Sequence, residues 1–409
     1  MAGALQDVRV LDLSRVLAGP WAGQVLADLG AEVVKVERPG SGDDTRGWGP
    51  PFLKDEDGQD TGEAAYYLSA NRGKRSIAVD MASADGLAVI GKLVGWADVV
   101  IENFKVGGLA KYGLDYASLS ADHPGLIYCS ITGFGQTGPY RARAGYDVMI
   151  QAMGGLMSIT GRPDDAPGGG PQKAGVAIAD ISTGLYAVIA ILAALHHRDR
   201  TGQGQHIDLA LLDTQVGWLA NQNMNYLVTG ASPARRGNAH PNIVPYQDFA
   251  TADGAIIVAV GNDGQFARFA AAIGRPELAD DARFATNAAR VANRDTLIPL
   301  IAERLAGRTT ADWAGLLDSA QVNIPNGPIN TIAQAFDDPQ LRHRGLRVDL
   351  PHPLAGTVAT VASPINLSAT PPEYHRPPPL LGEHTDDVLA ELGLDAAAIA
   401  DLRAKGAVA

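Results

Sequence analysis

The side chain with the clearest chemical potential is Asp180, within KAGVAIADISTG at Lys173–Gly184. It follows an apolar Gly-Val-Ala-Ile-Ala segment and precedes the run Leu185–Leu195, which predicts a core helix starting near the carboxylate. Unpaired N–H groups and the macrodipole favour negative charge at such a place. Two uses fit the position. One is a helix N-cap, a common role for Asp. The other is a nucleophile, because a carboxylate of ordinary pKa, about 3.9, is ionised at neutral pH and needs no base to activate it.

A second set of residues is cationic. Lys35, Arg38, Arg46, Arg72, Lys74, Arg75, Lys105 and Lys111 recur where strands should end, in ERPGSGDDTRGWG, SANRGKRS and ENFKVGG. Any one of them reads as a solvated loop tip. Together, in loops rich in Gly and Asn, they suggest a surface for phosphate oxygens. The first turn, LAGPWAG, contains Pro20 and no G-x-G-x-x-G lies near it, and no Walker motif appears. Phosphates without a nucleotide fingerprint narrow the ligand towards coenzyme A.

Other chemistries lack their signs. The histidines are scattered, His196–His197 are adjacent and no C-x-x-C occurs, so no metal site is expected. No G-x-S-x-G marks a serine hydrolase. Cys129, the single cysteine, sits in LIYCSITG and reads as a buried strand residue. One cysteine rules out a disulfide framework and fits a reducing, cytoplasmic setting. Lys+Arg 33 against Asp+Glu 45 gives a net charge of −12, which disfavours nucleic acid or an anionic membrane as partner. Leu185–Leu195 is shorter than the roughly 20 apolar residues of a membrane span.

The elements that must hold these residues alternate. Strands are expected at Val8–Leu13, Glu32–Glu37, Ser76–Asp80, Asp98–Glu102 and Leu126–Ile131, with helices at Trp21–Leu29 and Gly86–Val94 between them. This predicts an α/β fold with a parallel sheet, whose ligands bind outside the carboxyl ends of the strands. From about Ala231 the composition changes. A Pro-, Asn- and Arg-rich loop leads into a hairpin turning at Asp253–Gly254, then helices at Gln265–Ile273, Val291–Leu305 and Ala311–Ser319. At 409 residues, two domains are expected.

Read as phrases, RVLAGPWAGQVLADLGAEVVKVERPGSGDDTRGWGPPF, NRGKRSIAVDM, DVVIENF, YCSITGFGQTGP, AGYD, GVAIADISTG and PLLGEHTDDVL resemble the family III coenzyme A transferases across almost the whole chain. GNAHPNIVPYQ and RPPPLLGEHT are most similar to the branch acting on succinyl-CoA and dicarboxylates. The resemblance implies a Rossmann-like large domain from residues 1–225 and 336–409, an inserted α+β domain at 226–335, and an interlocked homodimer. It implies acyl-CoA and carboxylic acid substrates, with coenzyme A as substrate rather than cofactor. Asp180 falls on the aspartate that becomes acylated. Leu17, Ala18, Arg38, Asn71, Lys74, Arg75, Asn103, Phe104, Lys111 and Tyr146 fall on positions lining the CoA site. His240, Pro241, Asn242 and Ile243 replace the oxalate enzyme's tetraglycine loop, and Leu17 replaces its glutamine; both departures disfavour oxalate. An acyl-CoA racemase or epimerase on the same scaffold, or a non-catalytic acyl-CoA-binding protein, is the alternative. The racemase branch has a histidine in the place of Tyr146, and a tyrosine of pKa about 10 is a poor proton shuttle at neutral pH. A dicarboxylate acceptor would need a cation for its far end, with Arg15, Arg46 and His240 as candidates.

Overall fold

The computed structural model describes residues 3–409. Among them thirteen strands follow in chain order: β1 Arg9–Asp12, β2 Glu32–Glu37, β3 Phe52–Lys54, β4 Asp60–Ala64, β5 Arg75–Ala78, β6 Val99–Glu102, β7 Ile127–Thr132, β8 His206–Ala210, β9 Tyr246–Ala250, β10 Ala255–Ala259, β11 Asn326–Pro328, β12 Arg347–His352 and β13 Gly356–Val361. The chain divides into two compact units.

The first unit comprises Met1–Leu156, Lys173–Ala231 and Gln340–Ala409. Its centre is a six-stranded parallel sheet of order β5-β2-β1-β6-β7-β8. Central strands such as RVLD and VVIE are buried on both faces, as a parallel sheet covered by helices requires. One face packs on helices Ala18–Asp28 and Ile178–Thr201 through Val10, Ile101, Cys129, Leu26 and Ile191. The other packs through Leu11, Val34, Val100 and Tyr128 on the helix Ala84–Trp96 and on residues of the C-terminal helices. Short antiparallel hairpins, β3–β4 and β12–β13, complete this unit.

Two differences from the sequence reading have physical causes. The first helix begins at Ala18, not Trp21, because Pro20 falls within its first turn, where its missing N–H would have had no partner. Strand β8 went unforeseen: HIDLA alternates exposed and inward residues at the sheet's edge, a pattern too short to distinguish from a loop.

The helix Ile178–Thr201 runs 24 residues, well beyond the apolar run expected to form it. By length and composition alone it would suffice to cross a membrane; here its Ala179, Thr183, Ala187, Ile191 and Ala194 stripe is buried in the sheet's core. Gly202 closes it at φ 75°, a left-handed conformation suited to glycine, and Arg198 and Arg200 oppose the dipole in the last turn. Gly184 is required for a different reason. A Cβ there would stand 2.7 Å from the Ala18 carbonyl oxygen and 3.2 Å from the Trp21 side chain, so the two helices touch backbone to backbone.

The second unit, Met157–Gln172 with Ser232–Pro339, has a three-stranded antiparallel sheet, β11-β10-β9. Helices Asp263–Ala272, Arg294–Leu305 and Thr310–Asp318 enclose its own core of Phe249, Ile256, Phe269, Leu297 and Trp313. It is α+β, as its hairpin-then-helices sequence predicts.

Candidate active site

The site lies at the carboxyl ends of the parallel strands. After β1 the chain turns through Ser14–Leu17 into the first helix. Asp12 accepts from both the Ser14 N–H (3.0 Å) and the Ser14 hydroxyl. Val16 is held at φ 71°, unusual for a β-branched residue, with its N–H donated to Asp43. Asp43 also pairs with buried Lys35 at 2.9 Å, and Lys35 donates to the Ser14 carbonyl. A buried charge network therefore fixes this loop. Lys35 lowers the Asp43 carboxyl to about 2 against the opposing cost of burial.

Beside the loop is a cavity of about 190 Å³. Leu17, Ala18, Asn103, Phe104, Tyr146 and Asp180 all line it, so the structure brings together six of the residues singled out in the sequence. Asn103 clamps the Arg15 backbone from both sides: its Oδ1 accepts the Arg15 N–H at 2.9 Å and its Nδ2 donates to the Arg15 carbonyl at 2.6 Å. Tyr146 is 64% exposed. A neighbouring cavity of about 370 Å³ carries Arg38, and Arg15, Asp44 and Phe104 line both spaces. Lys111 is exposed and rests over the ring of Tyr112, which lines the second cavity.

Asp180 is the third residue of its helix, and the N-cap is Ala177, without a side-chain bond. The capping role weighed for Asp180 is filled from elsewhere: Asp147 Oδ1 accepts the Ala179 N–H at 2.8 Å, while Asp147 Oδ2 accepts from Gln151. The Asp180 carboxylate, bonded to none of the described residues, faces the cavity. Burial, and secondarily the charge of Asp147, raise its pKa from an ordinary 3.8 to about 7. This corrects the expectation of a fully ionised carboxylate: at neutral pH the group is about half protonated. Asp147 was overlooked in the sequence, although AGYD places it next to Tyr146.

The cations divide into two groups, and several expectations need correcting. Lys74 is fully buried, and its three donors go to Asp12, the Pro20 carbonyl and Asn71. Asn71 spends its amide on the Tyr67 carbonyl. Arg75 is paired with Glu32 and Glu391. These three side chains, expected against CoA, are turned inward and engaged within the fold. Arg46, a candidate for an acceptor's far carboxylate, is bidentate to Glu37 at 2.8 Å and also meets Glu63 and the Pro379 carbonyl. Arg72 is taken by Asp28. The exposed members are Arg38, Lys105 and Lys111. Arg141 and Arg143, not singled out in the sequence, join Arg15 around the first cavity, Arg143 propped over Phe134 and Tyr140.

His240–Ile243 lies in the second unit and follows a fixed path there. His240 Nδ1 accepts the Asn242 N–H, Arg294 donates to the His240 and Pro241 carbonyls, and Asn287 donates to that of Asn242. Among the described residues no group of three or more His, Cys, Asp or Glu could hold a metal ion.

A Rossmann-like parallel sheet with an unbonded carboxylate facing a cleft at its carboxyl edge defines the class, and likeness to known proteins places it. Residues 5–385 match CoA-transferase family III; the chain belongs to that family and is a transferase. It is 57% identical to the succinate–glutarate CoA-transferase of Agrobacterium fabrum over 391 residues, covering 95% of each chain. It is 45% identical to the human succinyl-CoA:glutarate CoA-transferase, covering 99% of this chain and 90% of the relative. A crystal structure of a CAIB/BAIF family protein from Brucella suis superposes with a TM-score of 0.84 at 54% identity, covering 96% of this chain and all of that one.

Proposed function

We propose that the protein moves coenzyme A from succinyl-CoA to a second dicarboxylic acid, with Asp180 as the covalent carrier. The observation carrying this reading is a carboxylate with no hydrogen-bond partner among the described residues, facing a cleft at the start of a buried helix. The two relatives named above, both of which join succinate or succinyl-CoA with glutarate, supply the substrate class.

In its ionised form Asp180 attacks the thioester carbonyl. The C–S bond breaks, leaving a mixed anhydride and a CoA thiolate. The thiolate then attacks the aspartyl carbonyl and expels the donor acid, giving an aspartyl–CoA thioester. The acceptor carboxylate runs both steps in reverse. One thioester replaces another, so the enzyme lowers barriers rather than driving an uphill reaction. The neighbouring cavity with Arg38 suits the phosphate end of CoA. Arg141 and Arg143, beside Arg15 with its partner Asp44 at 2.9 Å, offer the acceptor's far carboxylate a cationic rim, where bidentate geometry favours guanidinium. Exposed Leu185, Tyr186 and Ile189 on the Asp180 helix, and Leu227 and Val228 on the helix Asn221–Thr229, support burial against a second copy of the chain.

Incubation with succinyl-CoA followed by hydroxylamine should convert Asp180 to its hydroxamate, seen as a mass shift on its tryptic peptide. Asp180→Ala should lose transfer while still binding CoA. An unlabelled peptide together with an active Asp180→Ala protein would remove the mechanism.

A further inference from the structure

Glu102 ends β6 and is 5% exposed. Among the described residues no cation pairs with it, although a buried carboxylate without a counter-ion is costly to the fold. Its bonds are of another kind. Glu102 Oε2 accepts the Phe104 N–H at 2.8 Å, and the Ser130 side chain lies close enough to favour the ionised form. Ser130 Oγ lies 2.9 Å from His206 Nε2. The His206 ring is stacked on Tyr116 at 5.1 Å, which fixes its plane.

Sheet register produces this chain of contacts. Glu102 is opposite Ser130 on adjacent strands, and His206 on β8 is opposite Tyr128, two residues before Ser130. The cluster lines its own cavity of about 300 Å³, and Lys105 and Val106 line both that cavity and the Asp180 cavity. Burial pushes the Glu102 carboxyl upward, opposed by Ser130 and the Phe104 N–H. Much of what this buried acid does falls on the backbone of one loop.

We propose that Glu102 is a positioning residue for acyl-CoA: with Ser130 and His206 behind it, its carboxylate anchors the Phe104 N–H and so sets the loop Asn103–Val106 against the ligand. This rests on the transferase reading given above. The loop carries Asn103, which clamps Arg15, and Phe104, which lines both the Asp180 cavity and the one carrying Arg38. Releasing the anchor therefore loosens the walls of both spaces without touching Asp180.

The test is CoA binding by calorimetry alongside steady-state kinetics. Glu102→Ala should raise the CoA Kd and the acyl-CoA KM about tenfold or more, with kcat changed less than about threefold. Glu102→Gln, whose amide oxygen still accepts the Phe104 N–H, should recover most of that loss. Kd and KM near the unmodified values in Glu102→Ala would overturn the proposal, as would Glu102→Gln being equally impaired or kcat falling at constant KM. Should Glu102→Ala fail to fold, Ser130→Ala takes its place: a weaker CoA affinity at unchanged thermal stability supports the anchor, and an unchanged affinity overturns it. Absence of CoA binding in the unmodified chain would overturn the transferase reading as well, a result distinct from all of these.

Discussion

Asp180, the carboxylate we propose as the covalent carrier, sits in an environment that resists its ionised form. With a pKa of about 7, the ionised fraction falls tenfold per pH unit below neutrality. Transfer should therefore rise with pH, half-maximal near 7, to a plateau above about 8; a rate flat between pH 5 and 8 would contradict the assignment. Stability should move the opposite way. The folded pKa exceeds the unfolded one, so the folded state holds the extra proton between about pH 4 and 7, and stability falls as pH rises through that window. Asp180→Asn removes the penalty. It should be inactive yet more stable than the unmodified protein at pH 8, by on the order of 2 kcal/mol after allowance for partial exposure, with the difference vanishing near pH 4 in thermal melts. At this scale the sequence was informative about where a carboxylate meets the start of a buried helix but not about its proton. Residue type and helix start were readable; burial and the Asp147 charge depend on a segment 32 residues away.

Among the elements, the two helices joined at Gly184 control where Asp180 sits, four residues earlier on the same helix. Gly184→Ala forces a methyl against the Ala18 backbone oxygen, which cannot rotate aside. We expect a loss of about 2–4 kcal/mol in denaturant unfolding together with a fall in kcat. A variant as stable and active as the original would show that this helix contact is slack. The apolar periods of the strands and helices were legible because burial on one or both faces writes a pattern into the chain. The fate of the cations was not. Lys35, Arg46, Arg72, Lys74 and Arg75 look in sequence like Lys105 and Lys111, yet the first five are buried and paired. Their partners, Asp43, Glu37, Asp28, Asp12 and Glu32, come from strands, a loop and the end of the first helix, and spacing along the chain says nothing of such pairings.

For the molecule as a whole, the family and the α/β architecture could be read from phrases spread along the chain, whereas the extent of the second unit's own core required the structure. The exposed apolar side chains on the Asp180 helix bear on assembly. Ile189 is 61% exposed on a helix whose opposite stripe is fully buried. Ile189→Asp should shift the protein towards a monomer in sedimentation velocity if that face packs on a second copy; an unchanged oligomeric state would place the interface elsewhere.

The opening turn of the Asp180 helix has no capping side chain of its own and borrows one from Asp147. That loan ties chemistry to completeness. Until the helix Asp147–Met153 has docked, the Asp180 helix lacks that terminal bond, and Asp180 lacks the neighbouring charge that adds to the effect of burial. A partly unravelled chain would therefore carry at 180 an aspartate of ordinary pKa, and the raised value belongs to the assembled fold alone.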